Sequence, residues 1–335
     1  MTVKSLWPLM AAVLVLGSCG DDLAPPPPPK PAEQKPAVVV PEFNADSAYA
    51  YVAKQVSFGP RNPNSEGHTA CAEWMEEFLS QYADNVIVQR DVVQAFDGLN
   101  INMKNIIAQF QPEKKKRLML FAHWDTRPFA DKDPNPDRQN EPILGANDGG
   151  SGVGVLLEIA RQLKAQPTEY GIDIVLFDAE DYGTPNFPGI ESDTYSWCLG
   201  SQYWSTRPHV SGYRAKYGIL LDMVGSPGAR FPKEGTSMQY ASHVMNKIYK
   251  AARTTGNSEF FSSSTSGPTI DDHSFVNAIA GIPSAAIVEF HTGINAMGLN
   301  GYGSFHHTHD DNMDAISAET LGAVGETVMH VIYNE

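Results

Sequence analysis

Asp148 sits in the glycine-rich stretch Gly145-Ala-Asn-Asp-Gly-Gly-Ser-Gly152, which runs straight into Val153, Leu156, Leu157 and Ala160 at helical spacing. The glycines allow the sharp bend that sets a carboxylate at a helix mouth. Alone, such an aspartate reads as a cap. Its company points to more. Three short apolar runs end at once in groups able to hold a proton or a cation: Leu118–Ala122 in His123-Trp124-Asp125, Ile172–Phe177 in Asp178-Ala179-Glu180-Asp181, and Tyr217–Leu221 in Asp222. A fourth run, Ile282–Phe290, precedes a loop holding His306, His307, His309, Asp310 and Asp311. Carboxylates that converge without a cation repel one another and are costly to ionise together, and a metal ion relieves that cost. Asp, Glu and His without thiolates suit zinc at a catalytic centre, where three protein ligands leave one position open.

The elements that must position these groups follow from periodicity. Buried runs alternate with helical patterns over residues 152–164, about 198–206, and 237–254, and a closing helix presents Leu321, Val324, Val328 and Val331. This alternation predicts a three-layer α/β/α sandwich around a mostly parallel mixed central sheet. In such sheets ligands bind beyond the carboxyl ends of the strands, where His123, Asp125, Glu180, Asp181 and Asp222 all fall. Upstream, Ala48, Val52 and Val56 predict a helix starting near Asn44 or Asp46. The prolines and glycines of Phe58–His68 break it, and Cys71, Met75, Phe78, Leu79 and Tyr82 fit one face of a second helix. Val86–Val93 and Ile101–Phe110 have strand character, and Gln111–Arg117 reads as a solvated loop.

With 335 residues, 42% of them hydrophobic, the chain can bury one large core. A net charge of −15, from 39 acidic against 24 basic residues, argues against nucleic acid as a partner. Lys4, the apolar run Leu6–Leu16 and the box Leu16-Gly17-Ser18-Cys19 resemble a bacterial lipoprotein export signal. That resemblance implies a signal peptide over residues 1–18, lipidation of Cys19, and export to the periplasm with an anchor in a membrane, the outer membrane being the expected one. Residues 19–41, with Pro25–Pro29, read as an extended tether, leaving 42–335 as a single catalytic domain. The membrane is then a partner only through the lipid. Cys71 and Cys198 are the cysteines left over, and nothing in their spacing pairs them.

Taken together, His123-x-Asp125, Gly145–Gly152, Glu180-Asp181, Asp222 and His307 resemble the zinc aminopeptidase clan in order and strand-end placement. Within it, Ile270-Asp271-Asp272-His273, Leu220-Leu-Asp222-Met-Val-Gly225 and His307-Thr-His-Asp-Asp-Asn312 are similar to the glutaminyl cyclases of animals and their bacterial relatives. The resemblance implies conversion of N-terminal glutamine in peptides or proteins to pyroglutamate with release of ammonia. It implies one zinc per chain on Asp148, Asp181 and His307, Glu180 as general base and acid, and Asp222 and Asp271 as supporting acids.

Two positions depart from the animal enzymes. Asp181 replaces a glutamate, and His306 stands where they carry a tryptophan, so that the substrate wall is expected from Trp197 or Trp204 with His306 beside it. A di-zinc aminopeptidase would use the same residues, with His123 and Asp222 on a second metal and Asp148 bridging. A third reading, a non-catalytic peptide-binding lipoprotein, has no need of Glu180.

Overall fold

Residues 38–291 and 301–335 are described by the computed structural model, and Val38–Glu335 forms one compact unit. The expected signal peptide, Cys19 and the tether up to residue 37 lie outside the described residues. In chain order the strands are β1 (Asn85–Gln94), β2 (Asn100–Phe110), β3 (Arg117–His123), β4 (Gly171–Phe177), β5 (Gly218–Asp222), β6 (Phe231–Lys233), β7 (Phe261–Thr265) and β8 (Ser284–Val288). The helices are α1 (Ala45–Val56), α2 (Glu66–Ser80), α3 (Gly150–Ala165), α4 (Leu199–Thr206), α5 (Gly235–Thr255), the single turn α6 (Asp272–Phe275) and α7 (Ala318–Tyr333).

The main sheet runs β1-β2-β4-β3-β5-β8. β3, β4, β5 and β8 are parallel, and β1 and β2 add an antiparallel edge. Period-two alternation divides its side chains between two cores. Leu118, Leu120, Ile172, Ile174, Ile219 and Leu221 pack against α1, α3, α5 and α7 on one face. Met119, Phe121, Val175, Phe177 and Leu220 pack against Trp204 of α4 and Val276 on the other. Each such side chain taken fully from water contributes about 2 kcal/mol, and the two cores fix the strand register. The expected α/β/α sandwich is the fold. No helix among the described residues is long and apolar enough to cross a membrane.

Register aligns the chemistry. His123 pairs with Phe177, so β3 and β4 end at one level and Asp125 and Glu180 emerge side by side. Asp222 closes β5 opposite Val288.

Some local expectations needed revision. Asn44 caps α1, its side chain accepting the Ser47 N–H at 2.8 Å, but α2 stops at Ser80, short of Tyr82. Arg117 is no solvated loop residue: it opens β3 and is buried on Asp173, with Nε–Oδ2 at 2.6 Å and Nη2–Oδ1 at 2.6 Å. The β6–β7 pair had no periodic signal in so short a run. Cys71 and Cys198 are both buried free thiols.

Candidate metal and proton-transfer site

Asp148 is no helix cap, because Gly149 is the N-cap of α3 and the helix begins at Gly150 without a side-chain cap bond. Its turn is held from outside. Asp311 accepts the backbone N–H groups of Asn147 (2.7 Å) and Asp148 (3.1 Å). Buried Arg61, from the break between α1 and α2, donates to the carbonyls of Trp124 (3.1 Å), Leu144 (2.7 Å) and Gly145 (2.7 Å). Gly149 is required by close approach, since a Cβ there would lie 2.3 Å from the His123 carbonyl oxygen. That approach brings His123 Nε2 to 3.0 Å from Asp148 Oδ1 and 3.3 Å from Asp222 Oδ1.

Asp125 is a strut. Its two carboxylate oxygens accept the N–H groups of Glu180 (3.0 Å) and Asp181 (3.1 Å), tying the end of β3 to the turn after β4. Asp181 then faces His307, whose Nε2 lies 3.3 Å from Asp181 Oδ1 and 3.7 Å from Asp148 Oδ2. Asp271 is the N-cap of α6, accepting the Asp272 N–H at 2.6 Å. One of its oxygens lies within 4.8 Å of both Glu180 and Cys198.

All eight predicted site residues of the catalytic body, namely Asp148, Glu180, Asp181, Trp197, Asp222, Asp271, His306 and His307, line one cavity of about 290 Å³. Trp197 lies parallel to His307, with centroids 5.9 Å apart and planes at 8°. Trp204 does not reach the cavity. It is buried in the core against Phe177 and Tyr213 and donates to His209 Nδ1 at 3.1 Å. His306 lies against His307 with ring centroids 3.7 Å apart and planes tilted by 31°, and its Nδ1 is 2.6 Å from the Lys132 ammonium.

Burial dominates the electrostatics. It pushes Glu180 well above the usual carboxylate range, and Asp181, Asp271 and Asp272 add to the rise while His123 opposes it. Burial and then Asp148 push Asp181 up; burial and then Asp222 push Asp271 up. Asp148 goes the other way: burial raises it, but His123, with His306 and Lys132, together outweigh that and hold it down. Asp131 is also held well below the ordinary range, burial being outweighed by Arg127 and His307.

The donor set fits zinc. Asp181 Oδ2 is a buried oxygen without a hydrogen-bond partner among the described residues. Tetrahedral zinc ligands at roughly 2 Å from the metal lie roughly 3.3 Å from one another, close to the His307–Asp181 and His307–Asp148 separations of 3.3 and 3.7 Å. Ligand atoms of Asp148, His306 and His307 converge within 4.8 Å, and so, separately, do those of His123, Asp148 and Asp222, so a second cation could share Asp148.

Sequence reasoning missed four groups at this site. Arg127 lies with its guanidinium carbon 4.6 Å from the Trp197 ring centroid. Asp131 faces His307 Nδ1 at 3.4 Å. Lys132 lines the cavity, and burial lowers its ammonium to about 8. Cys198 donates its thiol to Glu180 Oε1 at 3.1 Å. Arg127 alone carried a signal, two residues after Asp125 in the same strand-end segment.

The profile of peptidase family M28 matches residues 105–332. Among solved structures, a glutaminyl cyclase from Bacteroides thetaiotaomicron, bound to N-acetylhistamine, is 48% identical with a TM-score of 0.86, covering 89% of this chain and 100% of its own. A Tannerella forsythia glutaminyl cyclase is 50% identical with a TM-score of 0.84, over 88% of this chain and all of its own. A Bacteroides thetaiotaomicron protein described as a leucine aminopeptidase precursor is 48% identical with a TM-score of 0.85, over 89% of this chain and 100% of its own. The chain spans at most about half the length of the curated relatives it matches, which include an aminopeptidase and glutaminyl-peptide cyclotransferases.

Proposed function

The chain belongs to peptidase family M28, and on that premise we propose that it is a glutaminyl-peptide cyclotransferase, closing the N-terminal glutamine of peptides and proteins to pyroglutamate with release of ammonia. The observation that carries this reading is the placement of Asp271 beside Glu180 in the cavity that also holds Asp222. Hydrolysis needs one base for a water. Cyclisation moves protons between two nitrogens of the same substrate, and three adjoining carboxyl groups with raised proton affinity suit that task.

Asp148, Asp181 and His307 would hold one zinc per chain. Bound there, zinc supplies Lewis-acid polarisation of the glutamine γ-carbonyl. The cavity walls, with Trp197 and His306, fold the short substrate so that its α-amino nitrogen lies against its own γ-carbon. Glu180 takes a proton from that amine as the new C–N bond forms, and delivers it to the side-chain amide nitrogen as the old C–N bond breaks and ammonia leaves. Asp222 and Asp271 accept hydrogen bonds from the two nitrogens and keep them apart. Having given that proton up, Glu180 ends as the carboxylate it was at the start, ready for the next turnover.

The convergence of His123, Asp148 and Asp222 favours a second reading, a two-metal aminopeptidase. Mass spectrometry of a Gln-initiated peptide incubated with the zinc-loaded protein decides. Loss of one ammonia without shortening supports cyclisation; loss of the first residue overturns it in favour of the peptidase. The cellular setting, export as a lipoprotein anchored through Cys19 and facing the periplasm, rests on the Leu16–Cys19 box alone. Metabolic labelling with a fatty-acid analogue, lost in Cys19→Ala, tests it.

A further inference from the structure

Segment 127–133 is clamped onto the loop that carries His307. Arg127 is fully buried and grips both oxygens of Asp131, with Nε–Oδ1 at 2.7 Å and Nη2–Oδ2 at 2.8 Å. Its Nη1 donates to the Asp181 carbonyl at 3.0 Å and reaches the Asp181 carboxylate at 3.4 Å. On the far side, Asp131 Oδ1 lies 3.4 Å from His307 Nδ1, an enclosed ring nitrogen with no hydrogen-bond partner among the described residues. The neighbours of Asp131 brace the same loop: the Lys132 N–H donates to the His307 carbonyl at 3.2 Å, and Asp133 accepts the His309 N–H at 3.0 Å.

We propose that the Arg127–Asp131 pair is a positioning device for the zinc site. Asp131 selects the His307 tautomer that carries its proton on Nδ1, which leaves Nε2 bare on the side of Asp148 and Asp181, while Arg127 holds Asp131 and Asp181 at a fixed separation. An imidazole binds a metal through its unprotonated nitrogen, and the partner of the other nitrogen decides which one that is. Arginine suits the role because its planar fork binds a carboxylate at two points and its charge is never lost. His307 itself sits at φ 60°, a left-handed conformation rare for a residue with a side chain. The brace opposes that ring's drift. The inference rests on the reading of Asp148, Asp181 and His307 as the zinc ligands.

The test titrates the zinc-loaded full chain with a chromogenic chelator of known affinity, for the wild type and for Asp131→Asn. Loss of a partner of this kind weakens metal binding roughly 10–100-fold, and that fall is expected together with a lowered thermal midpoint of the apoprotein, because the substitution also leaves buried Arg127 without its ion pair. An affinity within twofold of wild type overturns the inference. Should Asp131→Asn fail to fold, long-range 1H–15N correlation of the histidine rings in the zinc-loaded wild type answers the same question. His307 protonated at Nδ1 with Nε2 on the metal supports the assignment, and metal on Nδ1 overturns it. A wild-type chain that takes up no zinc overturns the ligand reading beneath, whereas tight wild-type binding with an indifferent Asp131→Asn overturns this inference alone.

Discussion

Cys198 donates its thiol to Glu180 Oε1 at 3.1 Å, and its backbone N–H donates to the Glu180 carbonyl at 2.9 Å. One residue therefore fixes both ends of the proposed general base. It does so from a left-handed backbone, φ 58°, at the start of α4. The thiol is fully buried, and burial followed by the charge of Glu180 pushes its own proton affinity far up, so it stays a donor. Cys198→Ala is expected to lower kcat roughly fivefold, the worth of one hydrogen bond of about 1 kcal/mol, with KM nearly unchanged. Cys198→Ser, which keeps a donor, should recover most of it. Steady-state kinetics on a Gln-initiated substrate decide. Equal loss in both variants would make the contact a matter of packing.

Glu180→Gln removes the proton carrier and leaves the three proposed ligands Asp148, Asp181 and His307 intact. The expected result is a fall in turnover of roughly 10²–10⁴ with zinc content by metal analysis unchanged. Cyclisation at the wild-type rate in this variant would end the proposed role.

Trp197 lies over Gly183, where an added Cβ would meet the indole 2.0 Å away. The ring cannot yield easily, since Arg127 and His307 also lie against it. Gly183→Ala should therefore displace the cavity wall, at an overpacking cost of about 1–3 kcal/mol. We expect a lowered thermal midpoint together with a raised KM. A raised KM is the part that depends on Trp197 touching substrate; destabilisation alone would leave it a packing residue.

These groups differ in how far the sequence announced them. Asp125, Glu180, Asp181 and Asp222 were legible because each follows directly on a buried apolar run, so strand geometry alone carries them to the sheet's C-terminal edge. Asp131 belongs to a stretch without periodicity, and what gives it meaning is a contact with His307, far along the chain, while Arg127, two residues after Asp125, takes its role from gripping Asp131 and Asp181. Trp204 was the readable error. It shares a helical face with Gly200 and Ser201, all buried, and that spacing points it into the core rather than the cavity. The distance between Asp271 and Glu180 had no sequence signal, because it depends on how the start of α5 is tied down.

That tie is Glu234. Its carboxylate accepts the N–H groups of Thr236 (2.7 Å), Ser237 (2.6 Å) and Thr269 (2.8 Å), and His273 Nε2 lies 3.0 Å from it. It thereby joins the start of α5 to the strand-like approach and first turn of α6, on either side of Asp271. Burial would raise its proton affinity, but the hydrogen bond and charge of His273, with the hydrogen bonds of Ser237, hold it down from an ordinary 4.5 to about 2. A depressed folded value means that the stabilisation is present in full above the unfolded value and is lost as pH falls through the folded one. The window is thus from 4.5 down to about 2, and the amount is about 3 kcal/mol at 1.4 kcal/mol per unit. In urea unfolding at pH 7, Glu234→Gln should be less stable than wild type by that order. Between pH 4.5 and the acid limit of folding the gap should close steadily, since the wild type alone carries a carboxylate there to protonate. A gap that stays constant through this range would mean that Glu234 stabilises by its shape rather than by its charge.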